Sequence, residues 1–204
     1  MQKVIYALAI LAFLVSCEEN LPPIDFSDSS DVKVDTVYQL LESEMPEQQD
    51  QTIVVEDLTG VRCNNCPKAA DIAQQIKEDN PDRAVVVGIY PEEPRNLSFP
   101  YDGYEDLRTE VSQRIAADIY GFSNQLPGGG VNRKIFSGQT SINTSFNTWI
   151  NFANQIMPSK SAVNIDLEVS SESDSLVELG SVFTFFESPE NPVFLSIMLL
   201  ENNI

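Results

Sequence analysis

The 204-residue chain is strongly acidic and contains no histidine. Its 12 Lys and Arg residues against 31 Asp and Glu residues give a net charge of −19. Such a charge opposes contact with nucleic acid, and the lack of histidine excludes Ser-His-Asp and Cys-His nucleophiles and most zinc sites. We therefore predict no nucleic-acid partner, no metal and no cofactor.

Residues 1–17 have the order of a secretory signal. Lys3 precedes an apolar stretch from Val4 to Val15, which is shorter than the roughly 20 residues of a membrane-spanning helix. Ser16 then precedes Cys17, an order that resembles the lipobox of bacterial lipoproteins. The resemblance implies that Cys17 is acylated and anchors the chain to a membrane. The alternative is an ordinary signal peptide with a coincidental cysteine.

Residues 18–50 are acidic, with Lys33 as their one basic residue. This composition predicts a solvated tether between the membrane and a folded domain. Glu18 and Glu19, directly after the lipidated cysteine, are either a sorting signal or simply part of the acidic tether. We expect an extracytoplasmic protein, lipid-anchored at the outer membrane or the cell surface.

The chain then predicts a strand, a turn, a helix and a second strand. The apolar run 53–55 is followed by a turn at 59–60 and by a helical pattern that opens at Cys63 and continues through Ile76. The run 84–90 is continuously apolar and β-branched, as in a buried parallel strand. A βαβ unit results.

Further elements complete a predicted α/β domain over residues 51–157. A long loop over 91–104 precedes a helix over 107–120. A turn at 126–130 then enters a strand that runs toward 136, and a second amphipathic helix follows over 146–156.

Residues 158–204 predict an antiparallel β domain. Apolar and polar residues alternate over 163–169, and 176–186 and 193–200 read as two more strands. We expect a partial β-sandwich-like domain that continues beyond Ile204, because three strands are marginal as an independent unit.

Two cysteines remain once Cys17 is assigned to the lipid, and they lie three residues apart. At the start of a helix, Cys63 and Cys66 are close enough to form a disulfide, and the free N–H groups there stabilise a Cys63 thiolate. Arg62 adds a positive charge that lowers the Cys63 pKa further. The pattern predicts Cys63 as a nucleophile and Cys66 as the resolving thiol.

A C-x-x-C motif on a strand-to-helix turn inside a βαβ unit resembles the thioredoxin fold. The run 56–67, EDLTGVRCNNCP, together with Val131-Asn132-Arg133, is more narrowly similar to the thioredoxin-like outer-membrane lipoproteins of Bacteroidota. The resemblance covers about residues 52–157. It implies a thioredoxin-like domain followed by a C-terminal β domain.

The resemblance also implies roles for two further residues. Asp57, six residues before Cys63, falls where thioredoxins keep a buried acid that takes the proton from the resolving thiol, and Glu56 is the neighbouring candidate. The alternative is an acidic strand end in water. Pro127 matches the cis proline beside the disulfide, where it shapes the substrate-binding edge, although Pro-Gly is also a plain turn signal.

Three residues or groups of residues differ from the usual thioredoxin pattern and leave the substrate and the redox potential open. Arg62 replaces the usual aromatic residue, Asn64-Asn65 replaces Gly-Pro, and three glycines follow Pro127. One predicted function is a thiol-disulfide oxidoreductase acting on protein thiols or disulfides through Cys63 and Cys66. The other is a non-catalytic surface binding or adhesion lipoprotein in which the two cysteines form a structural disulfide.

Overall fold

The chain divides into two units, Met1–Met45 and Pro46–Ile204. The computed structural model describes residues 39–92, 96–121, 125–173, 176–190 and 193–201. The predicted signal, Cys17 and most of the tether lie outside the described residues. In the first unit, Glu42–Glu44 form a short 3-10 turn.

The second unit is a mixed α/β structure built on a three-stranded sheet. Its strands are β1 (Ile53–Leu58), β2 (Ala84–Ile89) and β3 (Gly128–Val131), in the order β2-β1-β3. β1 is parallel to β2 and antiparallel to β3. The strand, helix and second strand predicted from residue 53 onward are confirmed.

Helices cover both faces of this sheet. They are α1 (Cys66–Asp79), α2 (Glu110–Arg114, continued by a π-helical stretch, Ile115–Ile119) and α3 (Trp149–Ile156). Successive β1 side chains point to opposite faces. Ile53 and Val55 therefore pack in a core with α1 and α3, whereas Leu58 packs in a second core with the residues of α2. None of the helices described is long and apolar enough to cross a membrane.

Helix α1 begins at Cys66 and not at Cys63, so the predicted start is wrong. Asn65 is the N-cap residue, and Pro67 lies in the first turn, where a missing N–H costs nothing. A helix beginning at Cys63 would place Pro67 beyond the first turn, where the ring breaks the hydrogen-bond ladder. Cys63 instead lies in the preceding turn, where its N–H donates to the Gly60 carbonyl oxygen at 3.0 Å.

Strand β3 consists largely of glycines, whereas the sequence predicted a strand running on toward Phe136. Gly129 lies opposite Asp57 with a φ of +126°, and a Cβ there would come within 2.0 Å of the Glu56 carbonyl oxygen. A Cβ on Gly130 would come within 2.3 Å of the Ile142 carbonyl oxygen. These close backbone approaches require glycine, and a turn after Val131 ends the strand.

A two-stranded antiparallel hairpin follows, formed by β4 (Val163–Ser173) and β5 (Leu176–Phe185). The third predicted strand, 193–200, is wrong, because these residues form neither a helix nor a strand. An apolar pattern becomes a strand only where a partner completes its hydrogen-bond ladder. Among the described residues, no strand pairs with this segment.

Hydrogen bonds join the hairpin and the residues just before it to the end of the predicted tether. The Gln51 N–H donates to the Ser159 carbonyl oxygen at 3.0 Å, and the Ser161 N–H donates to the Gln49 carbonyl oxygen at 2.8 Å. The buried Asn164 side chain accepts from the Gln49 N–H and donates to the Glu47 carbonyl oxygen. Residues 47–51 therefore belong to the same compact unit as the segments 51–157 and 158–204.

Replacement of Gly129 by alanine is expected to destabilise the protein strongly. The new Cβ clashes with the β1 backbone and the positive φ strains the alanine, for a combined loss of roughly 3 kcal/mol or more. Gly88→Ala is the control, since a Cβ at this β2 glycine meets nothing closer than 3.4 Å and should change stability by about 1 kcal/mol or less. Urea unfolding measures both, and equal effects would contradict the close approach.

Candidate dithiol site

Cys63 and Cys66 are joined by a disulfide, with an S–S distance of 2.08 Å and a Cα–Cα distance of 5.4 Å. Cys63 is 7% exposed and Cys66 is 2% exposed. Cys63 is thus the more accessible of the two, which is the order required if an incoming group attacks the first sulfur.

The disulfide lines a cavity of about 220 Å³. The cavity lies where β1 and β2 end, since Thr59 follows β1, Tyr90 follows β2, and the Thr59 N–H donates to the Ile89 carbonyl oxygen at 2.9 Å. Its other lining residues are Gly60, Val61, Pro67 and Ala70. The cavity is large enough for a small group or for one side chain of a larger molecule beside the two cysteines.

The loop around Ser98 packs against the turn that carries Cys63. Gly60 allows this approach, because a Cβ there would lie 2.6 Å from the Leu97 carbonyl oxygen. The Ser98 hydroxyl, which is 1% exposed, donates to the Thr59 carbonyl oxygen at 3.0 Å. Sequence reasoning missed Ser98, because nothing in the local pattern distinguishes it from an ordinary loop serine.

Arg62 holds this loop in place. Its Nε donates to the Phe99 carbonyl oxygen at 2.9 Å, and its Nη2 donates to the Pro100 carbonyl oxygen. Its Cζ atom lies 4.8 Å from the centre of the Tyr101 ring. The observed contacts of the guanidinium are thus with residues 99–101, and its effect on the Cys63 thiol stays a prediction.

Asp57 is a buried carboxyl group, not a strand end in water. It is 4% exposed, and its Oδ1 atom has no hydrogen-bond partner among the described residues. Burial raises the pKa of Asp57 to about 7. Burial, followed by the charge of Asp57, raises the pKa of Tyr90, and Tyr90 lines the cavity together with both cysteines.

Glu56 is buried on the opposite face of the sheet and is fully engaged. Its carboxylate accepts from the Tyr120 hydroxyl at 2.7 Å and from Arg133 Nε and Nη2 at 2.7 and 2.5 Å. Burial and the Glu56 charge raise the pKa of Tyr120, which keeps that hydroxyl a donor. Of the two candidate acids, Asp57 is therefore the one with an unpaired oxygen.

The Val131-Asn132-Arg133 sequence explains how Arg133 reaches Glu56. The Asn132 side chain continues the pairing with β1, accepting from the Val54 N–H at 2.7 Å and donating to the Thr52 carbonyl oxygen at 2.8 Å. Asn132 and Arg133 have φ angles of +51° and +46°. This left-handed turn ends β3 and directs Arg133 toward Glu56.

Pro127 lies directly before β3, and the Leu126–Pro127 peptide bond is cis. This is the isomer that the resemblance to thioredoxins implies. Gly128, the next residue, pairs with Leu58 at the end of β1. Pro127 is thereby placed beside the end of the strand from which the cysteine turn departs.

Comparisons with protein-family models, with characterised proteins and with solved structures found no match to this chain. Within the described residues, no three His, Cys, Asp or Glu side chains are grouped so that they could hold a metal ion.

Asp57→Asn is expected to stabilise the oxidised protein in a pH-dependent way. With the folded-state pKa near 7 and an ordinary value of 3.8, the folded chain binds one more proton than the unfolded chain between about pH 4 and 7. The stability of the parent protein therefore falls as the pH rises through this window, by up to about 1.4 kcal/mol per pH unit. Removing the carboxyl group removes this loss.

Urea unfolding at pH 4.5, 6 and 8 measures the effect. The advantage of Asp57→Asn should grow between pH 4.5 and 8. Asp71→Asn, at an exposed position on α1, controls for the loss of one charge. A pH-independent difference between Asp57→Asn and the parent would contradict the raised pKa.

Proposed function

We propose that this protein is a membrane-anchored, extracytoplasmic thiol-disulfide oxidoreductase of thioredoxin-like fold that acts through Cys63 and Cys66. The observation that carries the proposal is the placement of the disulfide. It lines a cavity, with Cys63 the more accessible cysteine, on a turn that follows a strand holding the buried, unpaired Asp57.

The order of elements supports the thioredoxin-like fold. A βαβ unit is followed by a helix on the opposite face, a strand antiparallel to β1, and a helix that packs in one core with α1. The segment after β3 runs back along it, and the Thr144 N–H donates to the Gly129 carbonyl oxygen at 2.8 Å. The proposed fold assigns this segment to the position of a further edge strand, and it assigns Pro127 to the position of the thioredoxin cis proline.

The proposed reaction is an exchange between the Cys63–Cys66 disulfide and a substrate dithiol. A substrate thiolate attacks the Cys63 sulfur, the Cys63–Cys66 bond breaks, and Cys66 leaves as a thiolate. The second substrate thiolate then attacks its partner sulfur and releases Cys63. Two electrons pass from the substrate, which becomes a disulfide, to the protein, which becomes a dithiol, and the reverse sequence reduces a substrate disulfide.

Asp57 supplies the proton transfer in this scheme. A carboxyl group with a pKa of about 7 exists in both protonation states near neutral pH. It gives its proton to the Cys66 thiolate as the disulfide opens, and it takes the proton back when Cys66 attacks. Burial within the sheet shields this transfer from bulk water.

The membrane attachment rests on the lipobox-like sequence before Cys17. We expect the mature protein to begin at an acylated Cys17 and to partition into the membrane fraction. Mass spectrometry of the mature N-terminus, with Cys17→Ser as the control variant, tests this. An unmodified Cys17 in the mature protein would contradict the anchor.

A binding or adhesion lipoprotein with a structural disulfide is the second candidate. The observation that favours it is an apolar face of the β4–β5 hairpin that lies open to solvent. The apolar side chains on this face that are more than one third exposed are Ile165, Leu167, Val169, Val177, Leu179 and Phe185. Exposed apolar surface of this kind marks interaction sites in many proteins.

The reduction potential of the Cys63–Cys66 pair decides between the two functions. For an oxidoreductase we expect a potential between roughly −270 and −120 mV, the range of thioredoxins and disulfide isomerases and oxidants. Cys63→Ser should abolish exchange with a small disulfide, and Cys66→Ser should accumulate a mixed disulfide on Cys63. A potential below about −300 mV, without any exchange, would support a structural disulfide.

A further inference from the structure

A second concave surface adjoins the dithiol cavity. It is a groove of about 290 Å³, here called the tyrosine groove, lined by Val61, Pro100, Tyr101, Tyr104, Glu105 and Leu107. Val61 lines both this groove and the cavity of the disulfide. Because Val61 is two residues from Cys63, their Cα atoms lie at most about 7 Å apart.

The groove displays aromatic surface to solvent. Tyr104 is 78% exposed and Tyr101 is 53% exposed, values that are high for side chains of this size. The two tyrosines belong to one turn, in which the Tyr104 N–H donates to the Tyr101 carbonyl oxygen at 3.0 Å. Rigid aromatic rings of this kind supply contact area at a low entropic cost.

Two arginines hold the loop that forms the groove. Arg62 bonds to the carbonyl oxygens of Phe99 and Pro100 and lies over the Tyr101 ring. The Arg108 guanidinium carbon lies 3.7 Å from the centre of the Phe99 ring, and Arg108 Nε donates to Asp106 Oδ1 at 2.8 Å. The groove is therefore organised before a ligand arrives, which reduces the cost of binding.

The charge of the groove favours a cationic ligand. Both arginines are engaged by the contacts just described, and Arg108 lowers the pKa of Asp106 to about 2, so Asp106 is ionised. Glu105 is the one charged lining residue, is exposed and forms no ion pair among the described residues. A cation in the groove meets the Glu105 carboxylate and the exposed Tyr104 ring, since Arg62 already lies over the Tyr101 ring.

We infer that the tyrosine groove binds the polypeptide segment beside the reactive cysteine of a protein substrate and selects a segment with an Arg or Lys side chain. The inference rests on the proposed thiol-disulfide exchange and names its substrate class. The substrate cysteine occupies the dithiol cavity, and a residue two to four positions away reaches the groove, since an extended chain spans about 3.3 Å per residue.

The experiment uses three disulfide probes with the reduced full-length protein. Two are synthetic peptides with one internal disulfide that are identical except for Arg or Glu three residues before the first cysteine. The third is hydroxyethyl disulfide, which is too small to fill the groove. We expect kcat/KM for the Arg peptide to exceed that for the Glu peptide about tenfold, mainly through KM.

Variants of the groove separate its role from that of the dithiol. Glu105→Gln should reduce the preference for the Arg peptide severalfold, Glu105→Arg should reverse it, and Tyr104→Ala should raise KM for both peptides. Rates with hydroxyethyl disulfide should be unchanged in all three. Glu110→Gln, at an exposed position on α2, is the matched control for the loss of one carboxylate.

The experiment gives different results if the groove inference is wrong and if the proposed function is wrong. Normal exchange with hydroxyethyl disulfide but equal rates for the two peptides would overturn the groove inference alone. Absence of exchange with every probe would overturn the proposed oxidoreductase. In that case, binding of cysteine-to-serine versions of the peptides to the oxidised protein still tests the groove, and equal affinities for the Arg and Glu forms would overturn it.

Discussion

The close pairing of β1 with the glycine strand β3 is the constraint on which the rest of the site depends. The β1 backbone comes so near to Gly129 that no side chain fits between them. This approach sets the register that brings Pro127 to the end of β1 and places the left-handed turn of Asn132 and Arg133 beside Glu56. Two features that flank β3 are thereby brought to a six-residue strand that is distant from them in the sequence.

The same strand places two adjacent carboxyl groups in opposite environments. Glu56 faces the α2 side, where Arg133 and Tyr120 satisfy its oxygens. Asp57 faces the other side, where burial without a partner leaves an uncompensated cost. Stability alone favours an apolar residue at position 57, so a buried carboxyl without a partner is a feature expected of a functional site. The contrast between the two neighbours is the physical argument for a proton-transfer role.

The long loop between β2 and α2 forms part of the candidate dithiol site, in addition to connecting the two elements. Arg62, which the sequence associated with the Cys63 thiol, bonds to the backbone of this loop. Gly60 and Ser98 complete the contact by a close backbone approach and a buried hydrogen bond. The turn that carries Cys63 and the loop that forms the tyrosine groove are thus one connected structure.

The sequence by itself determined the local features of this protein: the acidic character, the Cys63–Cys66 spacing, the βαβ order and the period of the β4–β5 hairpin. These follow from residue type and short-range periodicity. The sequence predicted the wrong start for α1, and it predicted a strand toward residue 136 and a strand over 193–200 that the structure does not have. A helix cap and a strand each depend on contacts with other parts of the chain, which a local pattern does not contain. Only the tertiary structure decided that Glu56 is paired and Asp57 is not, and that Arg62 holds the loop of residues 97–101. It also decided that Tyr101 and Tyr104 line a groove that shares Val61 with the cavity of the disulfide. Each of these depends on contacts between residues distant in the chain, which no local pattern records.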